Sequence, residues 1–167
     1  MKQIKLINIE NVPEEEAGKY SVRKCARAVV FDDDGLVALL HATKTNYYNL
    51  PGGGIKRGET KEQALRRECK EEIGCDVEIA KELGLTIEYR KKSHRKHLSY
   101  WYIAKVVGEK GEPTFEDYEI REGFKIVWFP IENCIKKISE CRPTIYEVKY
   151  MIPRDLALLE IVKKIIG

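Results

Sequence analysis

The stretch Gly53-Gly54-Ile55-Lys56-Arg57-Gly58-Glu59-Thr60-Lys61-Glu62-Gln63-Ala64-Leu65-Arg66-Arg67-Glu68-Cys69-Lys70-Glu71-Glu72-Ile73-Gly74-Cys75 runs a glycine-rich turn into an acidic helix. Thr60 can cap that helix, and Gln63, three residues on, completes a capping box. Gly74 stands where a left-handed stop belongs, so the spacing predicts a helix over residues 60–73. Leu65, Cys69 and Ile73 recur at i, i+4 and i+8 and give it a core-facing stripe. Glu68, Glu71 and Glu72, at i, i+3 and i+4, share one face. Carboxylates that close repel one another, and a divalent cation between them reverses the sign of the interaction. Hard oxygen donors select Mg²⁺ or Mn²⁺ over zinc. The glycines ahead of the helix let the backbone approach a metal or a phosphate closely. Three glutamates taken alone fit a solvated helix face better, so the residues around them have to decide.

Outward from this stretch, residues 25–31 and 36–41 are apolar runs of strand length that flank the hairpin signal Asp32-Asp33-Asp34-Gly35. Residues 76–89 and 98–107 read as strands joined by a basic loop, and 125–129 as another, closed by Pro130. The N-terminal residues 1–22 read as a strand, at 5–9, or as an arm. Helices are expected at 131–138 and 154–166, the second beginning after Pro153. This order lacks the regular βα alternation of a doubly wound fold; an α/β protein with a mixed sheet and helices on its faces fits better. With no repeat and no linker, residues 1–167 read as a single domain.

The full spacing resembles the Nudix box: a glycine, five residues, a glutamate, seven residues, then Arg-Glu-apolar-any-Glu-Glu-any-Gly-apolar. Gly53, Glu59, Arg67, Glu68, Cys69, Glu71, Glu72, Gly74 and Cys75 fill those places, between residues 53 and 75. Cys69 and Cys75 stand where Leu, Ile or Val is usual, a mild departure that small buried residues tolerate. The resemblance implies a Nudix-type α/β/α sandwich around a mixed β-sheet. It also implies an enzyme that hydrolyses a pyrophosphate bond with Mg²⁺, or Mn²⁺, as cofactor. By the same resemblance Glu68, Glu71 and Glu72 would be metal ligands with the Gly52 carbonyl as a further one, and Glu59 and Arg67 would brace the loop against the helix. Family members differ in which glutamate is the general base. Many draw one more acid from a later loop, where Glu116, Glu119 and Glu122 all qualify; Glu119 is the one taken as a candidate ligand. Dimers are common among similar proteins, so a homodimer is an option.

The chemistry agrees with the charges. A pyrophosphate repels anionic nucleophiles, so water must be activated and phosphate charge neutralised, and metal ions do both. A nearby carboxylate can accept the proton.

The rest of the chain bounds the substrate. Its 30 basic and 27 acidic residues leave a net charge of +3, which does not announce a nucleic-acid binder. No secretory signal and no stretch of ~20 apolar residues is present, and five cysteines without metal-ligand spacing read as small core residues in a reducing compartment, the cytoplasm. The run Arg90-Lys91-Lys92-Ser93-His94-Arg95-Lys96-His97 reads as a solvated loop, with phosphate gripping as its functional alternative. Arg27, with Arg23, is a candidate for substrate phosphate, and Trp101 for stacking on a base. The proline that often follows the box in ADP-ribose hydrolases is replaced by Arg90-Lys91, and the tyrosine of diadenosine polyphosphate hydrolases is out of place. The default is a MutT-like nucleoside triphosphate pyrophosphohydrolase acting on a nucleotide or another nucleoside diphosphate-linked small molecule. The alternatives are an RNA 5′-end pyrophosphohydrolase and a non-catalytic nucleotide-binding module. The intact Arg67, Glu68, Glu71 and Glu72 stand against the last.

Overall fold

The computed structural model describes every residue from Met1 to Gly167. In chain order the elements are β1 (Gln3–Ile7), α1 (Glu14–Ala17), β2 (Ser21–Phe31), β3 (Val37–Ala42), β4 (Tyr47–Asn49), β5 (Gly52–Gly54), α2 (Lys61–Ile73), β6 (Asp76–Arg90), β7 (Arg95–Val107), α3 (Asp117–Glu122), β8 (Phe124–Phe129), α4 (Ile131–Ser139) and α5 (Val148–Ile166). The strands form one sheet in the order β1-β6-β7-β2-β3-β4, with β5 paired to β2 and β8 to β3. β1 lies parallel to β6 and β2 parallel to β7, while the other pairs are antiparallel, so the sheet is mixed.

Period-two alternation divides the sheet between two cores. Ala26, Ala28, Val30, Tyr102 and Ala104 pack with Leu65, Cys69 and Ile73 of α2. Val29, Leu39, Trp101 and Ile103 face the other way, onto Cys134 and Ile138 of α4 and Leu158, Leu159 and Val162 of α5. The result is the expected α/β/α sandwich. All five cysteines are free and buried, and no helix is long and apolar enough to cross a membrane.

The helix that carries the motif is built as its sequence dictates. Thr60 Oγ1 accepts the Gln63 N–H at 3.1 Å, and the Gln63 side chain accepts the Thr60 N–H at 2.9 Å. Gly74, at φ 66°, closes the far end by donating to the Lys70 carbonyl. A side chain here would be strained and would strike the Gly111 carbonyl, so glycine is required.

Three expectations need correction. α5 begins at Val148, not after Pro153, which sits inside it. A proline in the second turn forfeits one backbone bond, and burial of Val148 and Tyr150 ahead of it keeps the turn helical. Residues 117–122, placed in a loop by sequence, form α3, a short helix closed by a reciprocal Glu116–Glu119 capping box. The basic run 90–97 is not one solvated loop. Arg90 ends β6 and His97 lies within β7, both buried, and only residues 91–94 make the turn.

The sheet also carries a buried charge network. The Glu88 carboxylate accepts from Arg90 Nε at 2.7 Å and Arg154 Nη1 at 3.2 Å, and Arg154 Nε donates to Asp155 at 2.6 Å. The other Asp155 oxygen accepts the Leu50 N–H at 2.9 Å. α5 is thereby tied to β6 and to the residue that leads into Pro51 and β5. Burial alone would raise the Glu88 carboxyl, but Arg154, Arg90 and Arg27 overcome it and hold it down to about 2.

Candidate active site

β5 is a run of three glycines, and its strand form comes from pairing with Cys25, Ala26 and Arg27 of β2. α2 crosses beside it. Glu72 is only 8% exposed, and its Oε2 accepts the Gly52 N–H at 2.7 Å. A Cβ on Gly53 would lie 2.6 Å from the Glu68 carboxyl group. The motif glycine is therefore the space in which a motif glutamate rests. Replacing Gly53 with Ala should push Glu68 aside and lower turnover ~10²-fold, the cost of about an ångström of misplacement. Steady-state kinetics beside a thermal melt check this; an unchanged rate would refute the packing argument.

Arg67 organises the same corner. Its Nε and Nη2 grip the two Glu59 oxygens at 2.6 and 2.9 Å, and Nη2 also donates to the Gly54 carbonyl at 2.9 Å. Its Nη1 reaches Glu68 at 2.7 Å and Glu71 at 3.2 Å. The hydrogen bonds from Arg67 hold the Glu59 carboxyl down to about 2. One guanidinium thus fastens the loop, the glycine strand and two helix carboxylates together.

The β5 glycines and the α2 carboxylates border a cavity of about 250 Å³, with Arg67 and Glu59 behind them. Glu68, Glu71 and Glu72 from α2, with Glu116 and Glu119 at α3, form its acidic side. Arg23 and Arg27 of β2, Arg90 of β6 and His97 of β7 form its basic side, and Tyr47, Tyr118 and Phe124 supply aromatic surface. Glu119, 4% exposed, is held through Oε2 by the Glu116 N–H at 2.7 Å. Glu122 turns away toward Thr45 and does not border the cavity, so of the three downstream acids only Glu116 and Glu119 do.

The electrostatics are those of crowded carboxylates. Burial first, then Glu68 and Glu119, push the Glu72 carboxyl well above its ordinary range against the pull of the Gly52 N–H. Burial, then Glu116 and Glu68, raise Glu119 as well. On the opposite side burial and the neighbouring Arg90 hold the His97 imidazole down to about 3, so it is neutral at physiological pH.

The donor set fits a hard divalent cation, because several carboxylates share one recess and each makes the next harder to ionise. No three of them converge as a preformed cage. Arg67 engages Glu68 and Glu71. The Gly52 carbonyl, expected among the ligands, accepts from Arg27 Nη1 at 2.9 Å and has one lone pair free.

Trp101 does not border the cavity. It is fully buried in the α4–α5 core and donates from Nε1 to Thr86 Oγ1 at 2.9 Å. The residue before it in a β-strand faces the opposite layer, and Trp101 falls on the filled one. Sequence reading missed Arg90, His97 and Tyr118 at the cavity. The alternation Glu88, Arg90 and His97, Ser99 carried the signal for the first two, hidden by the surrounding lysines.

Fold and cavity together describe an α/β protein in which a carboxylate cluster faces a set of arginines across one recess. The chain belongs to the Nudix hydrolase family: the sequence model of the NUDIX domain matches residues 22–148. Among relatives, it is 29% identical over 103 residues to the 8-oxo-(d)GTP phosphatase of Mycolicibacterium smegmatis, covering 62% of this chain and 30% of that one. It is 27% identical over 113 residues to a human diphosphoinositol polyphosphate phosphohydrolase, with 66% and 58% covered. It is 32% identical over 111 residues to the RNA pyrophosphohydrolase of a Nitratiruptor species, with 56% and 72% covered. The match thus spans less than two thirds of the length of the first two. The fold is similar to that of a MutT protein from Methanosarcina mazei, with a TM-score of 0.62 at 15% identity over 87% of this chain and 98% of that one. A NUDIX hydrolase from Nitrosomonas europaea gives a TM-score of 0.60 at 21% identity, with 80% and 87% covered.

Proposed function

We propose that this Nudix hydrolase cleaves a phosphate anhydride in a nucleoside triphosphate, in the manner of a MutT-like pyrophosphohydrolase that depends on Mg²⁺ or Mn²⁺. The observation that carries the reading is the cavity itself, with carboxylates on one side and arginines on the other. Glu68, Glu71 and Glu72 would hold the metal, with Glu119 as a further ligand or as base. When bound, the metal supplies charge neutralisation at the phosphates and acidifies water.

The chain's own groups do the rest. Arg27, fixed by the Gly52 carbonyl and by Ser99, presents its guanidinium to a phosphate without reorganising, and Arg23 and Arg90 add charge beside it. Water adds to phosphorus, the bridging P–O bond breaks, and the departing phosphate oxygen takes up the electron pair. Glu119 has its Oε2 held by a backbone N–H at 2.7 Å and its Oε1 engaged only by the Tyr118 hydroxyl at 3.5 Å, so Oε1 is the oxygen that would take the proton from water. Arg67 and Glu59 keep the acidic side in place. Tyr118, about half exposed at the rim, offers a face to a base.

The names of the relatives support the reaction class, since each is a phosphatase or phosphohydrolase of a phosphorylated molecule. The buried, free thiols suit a reducing compartment such as the cytoplasm. A panel of nucleoside triphosphates, nucleotide sugars, dinucleotides and a triphosphate-ended RNA, assayed for released phosphate and pyrophosphate, tests the proposal. Turnover of nucleoside triphosphates that needs Mg²⁺ or Mn²⁺ and stops with a chelator is expected. A metal-independent rate would sink it, and a rate confined to RNA would replace it with the 5′-end alternative.

A further inference from the structure

A cavity of about 250 Å³ encloses only part of a nucleotide, so the rest of any substrate must lie beyond it. It opens, across Arg23, Gly54, Glu68 and Glu116, into a second recess of about 550 Å³. Four cations reach that recess from three separate elements: Arg23 and Lys24 at the start of β2, Lys56 in the loop after β5, and Arg95 at the start of β7. The parallel pairing of β2 with β7, which sets Ser21 beside Arg95 and Arg23 beside His97, brings them together. None of these four side chains enters an ion pair. Arg67, which also borders the recess, is already held by Glu59, Glu68 and Glu71. Like charges gathered from distant parts of the chain and left without partners repel one another, and a bound anion relieves that repulsion.

We infer that this recess is a second phosphate subsite, and that the preferred substrate carries at least one phosphate beyond the scissile anhydride in the cavity. The inference rests on the reading that the cavity holds that anhydride. The lining contains no aromatic ring. Phosphates on a compact molecule therefore fit it better than the successive bases of a nucleic-acid strand, which take their affinity from stacking. Compounds whose two phosphates both lie in the cavity, such as nucleotide sugars, leave the recess unused.

The test is direct binding of inorganic pyrophosphate and inorganic tripolyphosphate, by calorimetry with a chelator present so that no turnover intervenes. Tripolyphosphate should bind about tenfold or more tightly than pyrophosphate, with the steeper salt dependence. The triple variant Lys24→Gln, Lys56→Gln, Arg95→Gln changes three exposed side chains. It should lose that advantage while its pyrophosphate affinity and its melting temperature hold. Equal affinity for the two anions, or equal loss of both in the variant, would overturn the subsite. A triphosphate-ended RNA that alone responds to the variant would overturn the compact polyanion. Tight tripolyphosphate binding by a protein that turns over no phosphate compound would instead refute the hydrolytic reading and leave the subsite standing.

Discussion

Glu72→Gln is expected to lower metal-dependent turnover by about 10³-fold while leaving the fold intact. The amide keeps an oxygen for the Gly52 N–H, so the contact at 2.7 Å survives and only the charge is lost. If that charge anchors a cation worth several kcal/mol to the transition state, a thousandfold loss follows. The metal-free protein should respond in the opposite direction. Glu72 is raised by burial and by Glu68 and Glu119, so the folded protein keeps a proton that the unfolded chain gives up. Stability of the metal-free wild type therefore falls as pH rises above the ordinary carboxylate range, and the variant removes that loss. Mn²⁺ titrations followed by thermal melts complete the measurement. Wild type should gain stability with metal and the variant should not. A variant that turns over normally, or that still gains fully from metal, would take Glu72 out of the metal site.

Glu88→Gln should produce the largest change in stability, about 3–5 kcal/mol, because it leaves two buried guanidinium groups short of a partner. Arg154 keeps Asp155, whereas Arg90 loses its only carboxylate. The pH dependence has a definite sign. Glu88 is held down to about 2 in the fold, below its unfolded value, so its contribution is present above the ordinary carboxylate range and drains away as pH falls toward 2. Urea unfolding at neutral pH and in acid below the ordinary carboxylate range should show the wild type converging on the variant as pH falls toward 2. Parallel curves at every pH would mean that the network contributes nothing through ionisation. Because Asp155 also holds the Leu50 N–H, loosening α5 should misplace β5 and reduce activity as well.

How much of this was legible in the sequence depended on how local each feature is. The α2 helix could be read to the residue, because its cap, its stripe and its stop all lie within one short segment. The carboxylate face came with it. β5 could not be read as a strand, since glycine has little preference for one and only the edge of β2 makes it so. α3 escaped because a six-residue segment with three acidic side chains and a single aliphatic one, Ile120, looks like a loop until the Glu116–Glu119 box is closed. Pro153 hid the first turns of α5 by obeying a local rule that tertiary burial overrules. The basic side of the cavity was hidden for another reason. Arg90 and His97 belong to a run whose composition says solvent, yet strand alternation turns these two inward while lysines between them face out. Trp101 shows the converse, an aromatic that looked available and lies wholly in the core.

The parallel pairing of β2 with β7 sets residues more than seventy positions apart side by side, as Arg27 with Trp101. During synthesis the glycine strand and acidic helix are complete once Cys75 has emerged, long before β7 exists. Arg23 and Arg27 are already present on β2, but Arg90 and His97 must wait for the chain closure that docks β6 and β7, which carries the higher entropic cost. For that interval the ribosome carries a cluster of glutamates with no opposing cations from β6 and β7. Catalytic competence should accordingly appear late and all at once, when the last long-range strand docks.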